Sequence, residues 1–302
     1  MSDECQRAQG RVPVPFNLSF AIAVDGPVDT ALMESALNGV ISRHAGLRAA
    51  LVPSESLSET DRRARLLQLF ASGIVAPGMH CQSVVTPESC RVGIERFDIS
   101  RDFNQKPRIV ETLSKALDQP FDRSHPPFIR AFLFTLSSLD HLLGIVLDHL
   151  VCDHWALNVL IREVAEIYNA ALCNRSARLP SLDTHYPDFA REQWLRAQNG
   201  GFLDDVLYWN NQWMTLESNQ LRCAYLPEEY RRLESSSGGV FQERVAVEPN
   251  LFASMRAFCS ATRITSYMLF LSAILIYFHR LTGRNTLAVW TSLSNRISMS
   301  QI

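Results

Sequence analysis

The segment Leu147-Asp148-His149-Leu150-Val151-Cys152-Asp153-His154-Trp155 concentrates the side chains that could do acid–base chemistry. An imidazole exchanges a proton near neutral pH, so His149 is a candidate general base. Asp153, four residues on, stands where a helix would begin; it can cap that helix and fix the loop carrying the histidine. Asp148 sets a carboxylate beside His149 and would favour the imidazolium, although adjacent strand residues point to opposite faces, which weakens the coupling. On spacing alone, a structural histidine at a strand end stays open beside a catalytic one.

Other chemistries find no comparable pattern. His44, His80, His125, His141, His185 and His279 are scattered, without an HExxH pair, and no metal site is expected. The chain has no GxSxG elbow, no GxxxxGK(S/T) loop and no GxGxxG fingerprint. The seven cysteines form no CxxC pair, which fits reduced thiols rather than a disulfide framework. Lys+Arg 29 against Asp+Glu 31, a net charge of −2, speaks against nucleic acid or an acidic membrane surface as the partner. The most apolar stretch, Tyr267 to Phe278, is too short for a membrane span of roughly 20 residues and reads as a core helix. With a polar N-terminus lacking a secretory core, a cytoplasmic setting is expected.

The elements that must hold the candidate site alternate in type. Alternation and β-formers predict a strand over 13–24, and Asp29 caps a helix reaching about His44. Short strands are expected at 47–51 and 92–97, a helix at 61–70, a loop at 72–89 and a helix at 108–117. Residues 128–136 and 142–148 read as a hairpin, the second strand (LLGIVL) apolar enough to be buried on both faces. A helix follows at 155–172. The Pro-containing polar stretch 174–187 reads as a linker, then helices are expected at 187–197, 201–216, 250–261 and 265–281, with strands at 240–247 and 286–291. The fold class is α+β, with a domain boundary between 1–178 and 179–302.

The segment 148–155 resembles the HHxxxDGWS signature of condensation domains of nonribosomal peptide synthetases, within the chloramphenicol acetyltransferase-like superfamily. On that signature His149 is the second, catalytic histidine, Asp148 replaces the first, Asp153 is the motif aspartate, His154 replaces glycine, Trp155 matches and Ala156 replaces serine. Arg43-His44-Ala45-Gly46-Leu47-Arg48 is similar to the family's RHxxLR element. Phe16-Asn17, Pro120-Phe121-Asp122, Tyr186-Pro187-Asp188-Phe189, His279-Arg280-Leu281-Thr282-Gly283 and Thr291-Ser292-Leu293-Ser294-Asn295-Arg296 resemble further family elements.

The resemblance implies two lobes, each a two-layer α/β sandwich, with the site in a tunnel between them. The second lobe would be incomplete at 302 residues, to be completed by further sequence or another chain. It implies an acyltransferase joining a carrier-bound acyl or aminoacyl thioester to an acceptor amine. The partners would be peptidyl or acyl carrier proteins presenting substrates on phosphopantetheine arms, with no cofactor bound directly. Asp153 would hold its loop by an ion pair with Arg296 or Arg48, and Trp155 would pack. A bulky His154 at a glycine position would narrow the tunnel or turn the loop. A catalytically degenerate docking or scaffold module and an ester-forming O-acyltransferase are the alternatives.

Overall fold

The computed structural model describes residues 16–53, 80–215, 245–287, 289 and 291. They fall into two compact units, one reaching Gly200 and one from Gly201 onward.

The first unit is built on a four-stranded sheet of β1 (Asn17–Asp25), β4 (Ile94–Asp98), β5 (Ile129–Thr135) and β6 (Asp140–Asp148), in the order β1-β6-β5-β4. β6 runs antiparallel to both β1 and β5, and β4 lies parallel to β5. Side chains alternate across a strand, so the apolar run of β6 serves two cores. Leu143, Ile145 and Leu147 join Ile129, Ala131 and Leu133 under helices α1 (Thr30–Arg43) and α3 (His154–Leu172). Val146 joins Phe132 and Phe134 on the other face, under helix α2 (Gln105–Asp118). Gly144 lets α2 approach closely: a Cβ there would lie 2.8 Å from Leu113 Cδ2 and 3.3 Å from the Phe134 ring.

Helix starts follow the caps. Asp29 accepts the Leu32 N–H at 3.0 Å, and the Tyr168 hydroxyl takes the Asp29 N–H at 3.0 Å, tying α1 to α3. A 3-10 turn, Ala45–Arg48, leads into β2 (Ala49–Pro53), which pairs antiparallel with β3 (His80–Val84). The loop expected at 72–89 therefore contains a strand. Its sequence, His-Cys-Gln-Ser-Val, has little strand character, and pairing with β2 makes it one. After the irregular stretch 174–185, helix α4 (Tyr186–Gln198) stays with the first unit: Tyr186 Cβ lies 3.4 Å from where a Gly46 Cβ would sit.

The second unit contains helices α5 (Leu203–Thr215), α6 (Pro249–Thr262) and α7 (Ser266–Thr282), the last closed by Gly283 at φ 68°. Residues 286, 287, 289 and 291 are irregular instead of the expected strand, and no strand of this unit among the described residues is there to pair with them. The helix expected at 61–70 and residues 240–244 lie outside the described residues. No single described helix is long and apolar enough to cross a membrane.

Candidate active site

His149 immediately follows β6, where the ladder with β1 ends at the Asn17–Asp148 pair. Its backbone N–H continues that pattern and donates to the Phe16 carbonyl at 2.9 Å. The half-buried imidazole lies flat on the Phe16 ring, centroids 4.6 Å apart and planes 2° from parallel. Stacking fixes the ring plane and leaves its edge, with both nitrogens, unspent: neither hydrogen-bonds to a described residue.

Asp148 turns the other way. It is 2% exposed and receives Arg123 Nε at 2.9 Å, Arg123 Nη2 at 3.4 Å and the Leu150 N–H at 2.9 Å. The carboxylate that the sequence places beside the imidazole is thus neutralised inside the protein, and the Leu150 bond makes it the brace of the turn after His149. Arg123 is held in turn: its carbonyl accepts the Leu51 N–H of β2 at 2.7 Å. Arg130 donates to the carbonyls of Ala116, Gln119 and Pro120, fixing the chain that leads from α2 to Arg123.

Asp153 closes the loop as the cap of α3, accepting the Ala156 N–H at 2.7 Å while its carbonyl accepts from Leu157. Arg48 is not its ion partner. Its guanidinium is buried and donates to the Ile41 carbonyl at 3.1 Å and to the Val85 carbonyl, knitting α1 to the chain after β3. Arg296 lies outside the described residues. His154 is exposed at the first position of α3, and no positive φ occurs there, so the histidine puts no strain on the backbone. Trp155 is 45% exposed.

A second set of charges braces the same helix from behind. Glu163 of α3, 5% exposed, meets His44 Nε2 at 2.7 Å and Arg43 Nε at 3.2 Å, and Arg43 also donates to the Pro180 carbonyl. Burial pushes the Glu163 carboxyl up, but the hydrogen bond from His44 and the nearby charges of His44 and Arg43 outweigh it and hold it below its ordinary value.

Beside the loop opens a cavity of about 360 Å³ wholly within the first unit, bordered by Leu150, Val151, Cys152 and Asp153. Among the described residues no three His, Cys, Asp or Glu side chains group as metal ligands. Sequence reasoning had not singled out Phe16 or Arg123 for the site. Phe16 lies in the opening element that resembles the family, and Arg123 directly follows Pro120-Phe121-Asp122, but only the sheet brings either to residues 148–149.

The family profile described as "Condensation domain" matches residues 78–302. Nonribosomal peptide synthetase TES of Alternaria alternata is 24% identical over 283 residues, covering 93% of this chain and 5% of that enzyme. The beauvericin nonribosomal cyclodepsipeptide synthetase of Gibberella fujikuroi is 27% identical over 297 residues, covering 93% and 9%. Among solved structures, SgcC5 of Streptomyces globisporus superposes with a TM-score of 0.67 at 20% identity, over 95% of this chain and 59% of that one. The first condensation domain of the calcium-dependent antibiotic synthetase, in complex with a substrate analogue, gives 0.66 at 17% identity, over 93% and 58%. These likenesses establish the fold. The chain spans less than a tenth of those two synthetases.

Proposed function

This chain belongs to the condensation-domain family, and from that premise we propose that it is an acyltransferase whose His149 serves the joining of an acyl or aminoacyl thioester to an acceptor amine. The thioester would arrive on the phosphopantetheine arm of a carrier protein, as would the acceptor, so the carriers are the partners and no cofactor is bound directly. The setting is cytoplasmic on this reading, in keeping with cysteine spacing that offers no paired framework.

The observation that carries the proposal is the imidazole of His149, fixed in plane by Phe16 with both nitrogens unspent. Nucleophilic attack by an amine on a thioester carbonyl forms the C–N bond, expels the thiolate and leaves an extra proton on nitrogen. A neutral imidazole nitrogen within hydrogen-bond reach can orient that amine or accept the proton, and the thiolate leaving group can recover one. Holding two tethered substrates together supplies most of the remaining advantage, through proximity. Asp148, Arg123 and Asp153 act on this scheme as positioning residues for the loop. Similarity to a cyclodepsipeptide synthetase keeps an alcohol acceptor, and therefore an ester product, within the same chemistry.

The test is transfer from an acyl-loaded carrier protein to amine and alcohol acceptors, comparing wild type with His149→Ala. Product from the wild type and a loss of about 10²–10⁴-fold in the variant is the expected result for a general base. A wild type that binds carriers but forms no product overturns the catalytic reading in favour of a docking module.

A further inference from the structure

We infer that Asn17 is a positioning residue for His149, acting through the Phe16 ring on which the imidazole lies. Phe16 does not hold its own place. It is 67% exposed, belongs to neither apolar core, and stands one residue ahead of β1, where a strand end frays unless it is tied down. The next side chain ties it. Asn17 Nδ2 donates to the Leu117 carbonyl and to the Gln119 carbonyl, each at 2.8 Å. Both amide protons are thereby used, and two carbonyls that the end of α2 leaves without a helical partner are satisfied.

The two neighbours work on opposite faces of the sheet. Asn17 pairs with Asp148, two residues beyond Val146 on β6, and so shares the α2 face. By alternation Phe16 turns to the other face, where its ring stacks on His149 at 4.6 Å and its carbonyl accepts the His149 N–H at 2.9 Å. The anchor is itself held: the Gln119 carbonyl receives Arg130 as well as Asn17, and Arg130 also donates to the Ala116 and Pro120 carbonyls. The end of α2 thus carries both supports of residues 148–149, Phe16 through Asn17 and the chain toward Arg123 through Arg130. An amide suits the place and its isostere does not, since Asn17→Asp would set a carboxylate oxygen against two carbonyl oxygens. That the clamp bears on a reaction rests on the acyl-transfer reading; that it fixes the Phe16–His149 stack does not.

The experiment is NMR of the full chain labelled at its histidine rings, with transfer kinetics on the same variants. The His149 ring protons, assigned by their loss in His149→Ala, should lie upfield of those of a free histidine because they stand over an aromatic face, and Phe16→Leu should return them. Asn17→Ala and Asn17→Asp should each move them toward the Phe16→Leu position and lower kcat about tenfold, with KM changed less than about twofold. Phe16→Tyr, which keeps a flat ring, should preserve both the shift and the rate. Phe16→Leu combined with Asn17→Ala should be slower than Phe16→Leu by no more than about twofold, since both act on one stack. If Asn17→Ala does not fold, Asn17→Ser, whose hydroxyl keeps one donor, should give an intermediate shift. His149 resonances unmoved by loss of the Asn17 amide, rate losses that multiply in the double variant, or a rise in KM at constant kcat would overturn the assignment. A wild type that transfers nothing fails the acyl-transfer reading, and the ring shifts then decide the positioning on their own.

Discussion

The Arg123–Asp148 pair makes an asymmetric prediction, because only one of its members is deeply buried. The Asp148 side chain is 3% exposed and that of Arg123 31%. Arg123→Met leaves a carboxylate in the protein with its counter-charge gone, and breaking a buried pair in this way costs roughly 3–5 kcal/mol. Solvent already reaches the guanidinium, which lowers the expected cost to about 2–3 kcal/mol. Asp148→Asn is milder: the amide oxygen can still accept the Leu150 N–H, and Arg123 can turn to water, so about 1–2 kcal/mol is expected. The double variant should cost less than the two single costs added together, since no charge is left stranded. Hydrogen exchange of the β6 amides reads these values within the first unit. Arg123→Met should speed exchange about 30–150-fold and Asp148→Asn about 5–30-fold. Equal effects, or single costs that add in the double variant to within about 0.5 kcal/mol, would refute the reasoning.

Three further outcomes follow from other buried polar groups and close contacts. His141 is 9% exposed, with no hydrogen-bond partner for either ring nitrogen among the described residues, so His141→Leu should stabilise the first unit by about 1–2 kcal/mol, measured by urea denaturation. The Glu163 carboxyl is held below its ordinary value of 4.5, so its contribution is full above that value and is lost as the pH falls through the lower, folded-state value. Glu163→Gln should therefore be less stable than wild type at pH 7, with the gap in urea midpoint narrowing on acidification below about pH 4.5. Gly144→Val should push Leu113 off the sheet and cost about 1–3 kcal/mol, seen as faster exchange at α2 amides.

The parts of this fold legible in the sequence are those whose signal is local. The run Leu142 to Leu147 reads as a doubly buried strand because both of its faces are apolar, and two cores do flank it. Asp29 and Asp153 read as caps because a short side-chain acceptor before a periodic segment has one obvious use. β3 is not legible, since nothing within His-Cys-Gln-Ser-Val favours a strand and the partner that makes it one, Ala49–Pro53, is distant in sequence. The helical period of α7 is equally plain, yet none of its described residues is buried, because what covers a helix is not written in the helix.

The site divides along the same line. His149 and Asp153 are candidates by spacing and by resemblance to the signature, whereas Phe16 and Arg123 reach the loop only through the β1–β6 register and the β5–β6 hairpin. This changes the meaning of the departure at 148. Read in sequence, a carboxylate in place of the family's first histidine is a threat to the imidazole beside it. In the structure it is the group that receives Arg123 and braces the turn. The two residues then form one substitution unit, and restoring histidine at 148 alone should harm the protein: it would strip Arg123 of its carboxylate and set a second imidazole against a cation. Asp148→His should therefore slow transfer and speed β6 exchange more than the pair Asp148→His with Arg123→Leu. If the single variant proves the better of the two, the brace around His149 does not depend on this charge pair.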